Sequence, residues 1–399
     1  MLANIIVKPC RIELQEIKTP KPSDGEILVK IKVALTCGTD LKAFLRGHPM
    51  IPMPGVFGHE FSGIIEDTGR GVKGFKKGDE VMAVHSAPCN NCMFCKKGFY
   101  NLCEHIMDTK ILGAFSELIL LPSHIVKQNV FHKPKNLSFE EAAFLEPLAC
   151  VVHSIEPLDI KKGDSALIIG SGPIGLLHLI VLKRKKAKVA VNDINKERLE
   201  IAKRLGADFI FRTKHSPSPA PLLYEPWPSR EGNNVGRPPL LSREGRINPP
   251  YSSPYLRGGG VGLHTSPLVG KNKPTLPSPL VGEGKGEGGF DYVFECTGKP
   301  EVWETSVNYL RRGGTLILFG GCEKGTKVTY DTYRLHYDEI TLKGAFHYTP
   351  DDVKKAYKLL CEEKLGLSML ISGRYPLKDT HKAFDKLAKG VGLKYAIMP

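Results

Sequence analysis

The 399-residue chain has no run of 18 consecutive apolar residues, which excludes a membrane-spanning helix. Its N-terminus, MLANIIVKPCRIE, lacks the pattern of a secretory signal peptide. The formal charge is +14, yet the lysines are spread along the chain. No aromatic-interleaved basic stripe and no nucleic-acid motif accompanies them, so the excess reads as solvated surface and no nucleic-acid partner is expected. A hydrophobic content of 41% and a charged content of 25% describe an ordinary globular protein, long enough for two domains. Ten cysteines, clustered as metal ligands are, fit a reducing cytoplasm better than a disulfide framework.

One segment lacks the means to form a helix. Residues 214–289 hold 14 of the 30 prolines and 13 of the 41 glycines, and from 217 onward no more than five successive residues are free of both. The segment repeats itself: Ser-Arg-Glu-Gly occurs at 229–232 and 242–245, and Ser-Pro-Leu-Val-Gly at 266–270 and 278–282. It reads as a low-complexity, disordered insertion.

What the chain does have begins with Cys89, Cys92, Cys95 and Cys103, spaced C-x2-C-x2-C-x7-C in a loop, Pro88–Leu102, rich in Lys, Asn and Gly. Four thiolates so close together suit a tetrahedral structural zinc with no open position. An iron–sulfur cluster is the rival, but its usual run ends C-x3-C-P, and Glu104 follows Cys103 here.

A second constellation follows. The apolar run Ser165–Ile169 reads as a buried strand, Gly170-Ser171-Gly172-Pro173-Ile174-Gly175 as a tight turn, and Leu176–Lys186 as a helix. This is G-x-G-x-x-G in its required setting. Gly170 allows the turn, Gly172 lets backbone approach a pyrophosphate, and Gly175 lets helix and strand pack; Pro173 and Ile174 lie between. The phosphates then meet the positive end of the helix dipole. A strand at Val189–Asn192 ends at Asp193, placed to accept a ribose 2′-hydroxyl and so to favour NAD over NADP. No arginine follows immediately. A helix, Lys196–Leu205, and strands at Phe209–Phe211, Asp291–Cys296, Leu316–Phe319 and Ile340–Leu342 complete an α/β doubly wound parallel sheet. Small residues at strand ends, among them Thr297 and Gly320, leave room for the cofactor.

The third constellation is Cys37 in Thr36-Cys37-Gly38-Thr39-Asp40, His59 and Glu60 in Gly58–Gly63, and Glu146 in Glu146-Pro147-Leu148. One thiolate, one imidazole and one carboxylate make a three-ligand zinc site with a free fourth position, as a catalytic zinc requires.

In order and combination these motifs resemble the zinc-dependent medium-chain dehydrogenases, in the branch of sorbitol (polyol), threonine and secondary-alcohol dehydrogenases. Gly69, Val72, Gly78-Asp79 and Val81 add to the likeness, which covers 1–213 and 290–399. The resemblance implies a GroES-like, mostly β catalytic domain at 1–150 and 346–399, and a Rossmann NAD-binding domain at 151–345 carrying the insertion. It implies two zinc ions per chain and a homodimer or homotetramer. Cys37 and His59 are then ligands of the catalytic zinc. Glu60 is a third, and Glu146 binds directly or through water; either order stays open.

The implied reaction is oxidation of a secondary alcohol or polyol to the ketone, with zinc lowering the pKa of the substrate hydroxyl and hydride passing to NAD. Thr39 is placed to carry the alcohol proton. Much of the family has a histidine five residues past the ligand cysteine, where this chain has Lys42, so the outer relay departs from the pattern. Two alternatives stand beside this reading: a sugar-phosphate dehydrogenase, and an inactive member disabled by the insertion. Cys10, Cys150, Cys296, Cys322 and Cys361 lack ligand spacing and read as core or near-core thiols, with Cys150 near the nicotinamide. The pocket is expected to be shaped by Phe44–Pro54, Phe94–Tyr100 and His347.

Overall fold

The computed structural model describes residues 1–213, 288–362 and 364–399. Apart from its last two residues, the low-complexity segment expected at 214–289 lies outside the described residues.

The run Ser165–Ile169 forms a strand whose last four residues are all buried. Among the described residues it belongs to a six-stranded sheet, ordered Phe209–Arg212, Lys188–Asp193, Ser165–Ile169, Phe290–Glu295, Leu310–Leu318, Thr341–Gly344. Every pairing is parallel. Chain order reverses between Ser165–Ile169 and Phe290–Glu295, the place where an open α/β sheet leaves a crevice at its carboxyl end. The helix after the first strand, Pro173–Arg184, opens with proline, whose fixed φ suits a first helical position, and ends on Lys183 and Arg184. The next helix, Lys196–Arg204, is capped by Asn195, whose side chain accepts from the Arg198 amide at 3.1 Å.

The strand Ile27–Leu35 alternates buried side chains with outward Lys30 and Lys32 before running fully buried at Val33–Leu35. It pairs antiparallel with Glu60–Thr68, with Leu118–Leu121 and with Lys394–Met398, so among the described residues a seven-stranded sheet joins early strands of the chain to Lys394–Met398. Glycines at two positions permit close backbone approach in and just after the strand Glu60–Thr68: a Cβ on Gly63 would sit 2.2 Å from the Lys30 carbonyl, and one on Gly69 1.6 Å from that of Ser23. Helix Leu145–Ile155 leads from this sheet to the parallel one and packs on Pro173–Arg184 and Pro350–Glu362.

The doubly wound sheet and the mostly β unit are as expected. Three details differ. The cysteine loop contains a helical turn, Met93–Lys96, because Cys92 can start it as Cys89 and Cys95 fold around one point. Cys10 is exposed, at positive φ in the turn between Leu2–Lys8 and Arg11–Glu16, so it is no core thiol. Phe209, Ile210 and Phe211 are only half-buried, whereas the neighbouring strand Lys188–Asp193 is buried from Val189 onward.

One buried group makes the fold acid-sensitive. His178, fully buried, bonds the Ser154 hydroxyl through Nε2 at 2.8 Å and the Ile174 carbonyl through Nδ1 at 2.9 Å. Burial pushes its pKa down to about 4. The unfolded chain takes this proton first, so stability rises with pH between about 4 and 6.5 and is lost as pH falls. The full difference is about 3 kcal/mol at 1.4 kcal/mol per pH unit. Urea midpoints at pH 7 and pH 4.5 should therefore diverge in the wild type, and His178→Gln should narrow the gap; an equal gap in both chains would refute the assignment.

Candidate active site and metal centres

Two groups of side chains converge as metal ligands do. The sulfur atoms of Cys89, Cys92, Cys95 and Cys103 all lie within 4.8 Å of one another. Cys92 and Cys95 are 3.5 Å apart and Cys89 and Cys95 3.9 Å, against about 3.8 Å for thiolates 2.3 Å from a tetrahedral zinc. Backbone amides of Asn91 and Cys92 point at the Cys89 sulfur, at 3.4 and 3.3 Å. These amides lower the Cys89 pKa, and donation from the Cys95 backbone lowers that of Cys92 to about 6; burial raises Cys95 to about 12. The lobe thus favours thiolate at some positions and needs a cation to make the rest thiolate, which fits a four-coordinate metal.

The second group is Cys37, His59 and Glu60, also within 4.8 Å of one another. Cys37 caps the helix Gly38–Arg46, and His59 and Glu60 sit where the strand Glu60–Thr68 begins. Asp40 is wholly buried beneath them. One of its carboxylate oxygens accepts from the Cys37 amide at 3.2 Å, and the other lies 3.4 Å from His59 Nδ1, too poorly placed for a hydrogen bond but close enough to set the tautomer by charge. That leaves Nε2 for a metal. Burial disfavours a charged His59 ring, yet Asp40 and Cys37 outweigh it and hold its pKa above the ordinary range. The spot calls for positive charge, from a proton or an ion.

Glu60 is fully buried. Its Oε2 accepts from Lys394 Nζ, which also donates to the Thr36 carbonyl at 2.9 Å and lies over the Phe144 ring. Among the described residues its Oε1 has no partner. A buried carboxylate oxygen left unpaired beside a thiol and an imidazole fits a metal ligand, since such an orphan otherwise carries a desolvation cost of about 1–3 kcal/mol or more. Glu146 lies outside the three-atom cluster but in the same cleft. Its Oε1 is 3.5 Å from His85 Nδ1 and 3.7 Å from the Cys150 sulfur, and burial, helped by Glu60, pushes its carboxyl up to about 7.

This cleft, of about 440 Å³, also takes in Thr39, Lys42, Cys150 and the turn residues Gly172, Pro173 and Ile174, with Thr297 and Gly320 across the switch point. Gly170 has φ +99°, and a Cβ there would meet Thr297 at 2.8 Å; one on Gly175 would meet the Gly170 carbonyl at 1.9 Å. A second cavity, of about 260 Å³, opens on Gly170, Gly172 and Asp193. Asp193 accepts from the Ser171 amide and hydroxyl and the Asn195 amide. Lys42 donates to the Gly321 carbonyl at 3.2 Å, bridging the cleft.

Other residues were not foreseen. Arg198 and Lys299 line the cavity beside Asp193, so the acid is not without nearby cations. Asp40 stands in the motif around Cys37, but nothing local marks Lys394, His85, Ser86 or Tyr348. Of the expected pocket segments, Met50, Ile51 and His347 line the cleft; Phe94–Tyr100 does not, being folded around its own cysteines, and Met107, Lys110 and Leu112 take its place.

With this geometry in view, the similarities are specific. Residues 23–133 match the alcohol dehydrogenase GroES-like domain, and residues 278–362 match the zinc-binding dehydrogenase family. Both matches are to domains of the zinc-dependent medium-chain dehydrogenases, the family that the motifs resemble. D-xylulose reductase A of Aspergillus oryzae is 27% identical over 395 residues, covering 97% of this chain and 93% of that one. Sorbitol dehydrogenase of Homo sapiens is 28% identical over 400 residues, covering 98% and 94%. An alcohol dehydrogenase from Thermotoga maritima shares the fold at a TM-score of 0.77 and 21% identity, over 100% of this chain and 99% of that one. Among the described residues, no helix is long and apolar enough to cross a membrane.

Proposed function

We propose that this dehydrogenase oxidises a secondary alcohol or polyol to the ketone, with NAD as hydride acceptor and a catalytic zinc held by Cys37, His59 and Glu60. The observation that carries the reading is the unpaired Glu60 Oε1 beside Cys37 and His59, in the same cleft as the dinucleotide turn. Zinc bound there lowers the pKa of a substrate hydroxyl. The chain's own residues do the rest. Asp40 fixes the His59 ring, and Lys394 holds one oxygen of Glu60 so that the other faces the metal position. Thr39, in the cleft two residues past Cys37, accepts the hydroxyl proton while releasing its own to solvent. Pro173, Ile174 and Thr297 wall the nicotinamide end and exclude water. Glu146 is the alternative third ligand, binding directly or through water. The four-cysteine lobe holds a second, structural zinc, which suits a reducing compartment such as the cytoplasm.

The test is NADH production by the zinc-loaded chain against polyols, secondary alcohols, threonine and sugar phosphates. Turnover of a polyol or secondary alcohol is the expected result. Turnover of sugar phosphates alone would favour the anionic-substrate reading. No turnover, with recovery on replacing 214–289 by a short helix, would mean that the family chemistry is present but disabled; the half-buried Phe209–Phe211 face is what gives that outcome weight.

Cofactor choice rests on Asp193. A carboxylate near the 2′ position repels a 2′-phosphate, and Arg198 donates to the Gly392 carbonyl at 3.2 Å. Asp193→Ser should lower the NAD-over-NADP ratio of kcat/KM by about tenfold or more, the scale of one lost charged hydrogen bond. An unchanged ratio would shift the assignment to other residues. Light scattering tests the dimer or tetramer that the resemblance implies; a monomer at micromolar concentration would count against it.

A further inference from the structure

The cleft carries two imidazoles that the proposed reaction does not use. His85 and His347 both line it. Behind them stand Ser86 and Tyr348, buried. The Ser86 hydroxyl is 2.6 Å from His347 Nε2 and 2.9 Å from the Tyr348 hydroxyl, which is 3.2 Å from His85 Nδ1. Each ring therefore has one nitrogen spent on this internal chain. Among the described residues the other nitrogen of each, Nε2 of His85 and Nδ1 of His347, has no protein partner and is not sealed off from the cleft. The rings are stepped outward from the metal cluster: His85 is 5.0 Å from the His59 ring and His347 5.4 Å from His85, centre to centre.

The placement of His347 is not incidental. Its φ is +63°, a left-handed conformation that a side-chain-bearing residue adopts at a cost, and its ring is stacked on Tyr348 at 4.0 Å. Strain of this kind persists where the surroundings over-determine it, and it concentrates at ligand sites.

We propose that His85 and His347 are specificity-determining residues that hydrogen-bond the hydroxyl next to the reacting carbinol, so that this site selects vicinal diols and polyols over simple secondary alcohols. This rests on the alcohol-oxidising reading above and deepens it. The chemistry follows from the rings. Whichever way the protons run along Ser86, Tyr348 and His85, each free nitrogen is either a donor or an acceptor, and a hydroxyl serves both. An alcohol with no second hydroxyl displaces water from these nitrogens and leaves them unpaired, and a pocket that expects a hydrogen bond rejects the analogue lacking it. An anion would be served by Lys110 in the same cleft, but its ammonium is already directed at the Met107 carbonyl, 2.6 Å away.

The experiment compares 2-butanol with each stereoisomer of 2,3-butanediol, which share a carbon skeleton and differ by one hydroxyl. In the zinc-loaded wild type, kcat/KM for the favoured diol should exceed that for 2-butanol by about ten- to a hundredfold, as one unmatched buried polar group predicts. His85→Phe and His347→Gly, the second of which also relieves the backbone, should each bring the ratio towards one by lowering the diol value. His347→Asn, which tolerates the same backbone and both donates and accepts, should restore part of it. A ratio unchanged in both variants would overturn the proposal, as would a preference for a sugar phosphate over its free polyol that Lys110→Ala abolishes. If no alcohol is turned over, the reading of the reaction fails separately. The proposal is then judged by binding, with erythritol expected to raise the melting temperature of the zinc-loaded chain with NADH in the wild type and less in the double variant; equal shifts would sink it.

Discussion

Replacing Cys37 by serine should remove NADH production from every alcohol and leave the purified chain with one zinc ion, where the wild type is expected to hold two. The serine hydroxyl is not ionised near neutral pH and is a poor partner for a borderline-soft cation, so three donors become two. Metal polarisation of the reacting oxygen is worth several kcal/mol, hence a loss of about a thousandfold or more in kcat. The retained ion reports on the other lobe. Its four sulfurs form a separate cluster, with their own core of Cys95, Cys103 and Ile106, and nothing in the substitution touches them. Metal analysis and turnover therefore answer different questions. A serine variant that keeps both ions and full activity would show that the Cys37, His59 and Glu60 cluster is not the catalytic site.

The second large effect is on stability. Lys394→Met should cost about 3–5 kcal/mol in the unfolding free energy of the metal-free chain, the range for breaking a buried ion pair by removing one partner. Its ammonium is 3% exposed, and the Glu60 carboxylate it serves is 0% exposed with its other oxygen already unpaired. Methionine fills the volume but leaves the buried carboxylate with only His59 to answer its charge. Burial already raises the Glu60 pKa against the pull of Lys394, so without the lysine the group must take up a proton on folding. Urea denaturation of wild type, Lys394→Met, Glu60→Gln and the double variant closes a cycle. The double variant should recover most of the loss, because the paired deletion strands no charge. Equal midpoints for wild type and Lys394→Met would mean that the pair contributes nothing.

The parts of this enzyme that are legible in its sequence are those built within one turn or loop. Gly170 to Gly175 can be read because a strand, a tight turn and a helix follow one another without interruption, and each glycine answers a local steric demand. The four cysteines can be read because their ligand geometry lies within fifteen residues. Cys37, His59 and Glu60 form a cluster in space, yet each alone is an ordinary residue, so only their combination with the other motifs carries the assignment. Lys394, His85 and Tyr348 cannot be found this way. Lys394 reaches Glu60 by strand pairing at the far end of the chain, and Tyr348 meets Ser86 from a segment 262 residues away. Cys10 misled for the opposite reason: an apolar-looking thiol sits on a hairpin turn whose geometry exposes it. The pocket wall from Met107 to Leu112 is similarly invisible, since no periodicity marks a loop whose role is set by where the cysteine lobe delivers it.

Lys394 follows Glu60 by 334 residues, and the strand that carries it lies against Leu35 and Ala34, just before Cys37. A ribosome adding about 5–20 residues per second needs about 17–67 s to cover that distance. Throughout that interval Cys37, His59 and Glu60 have been made, but the ammonium that neutralises their pocket has not. The thiol waits without its finished surroundings, open to stray metals and oxidants. The centre closes only once the final strand docks, so the charge balance of the pocket is completed late in the making of each molecule.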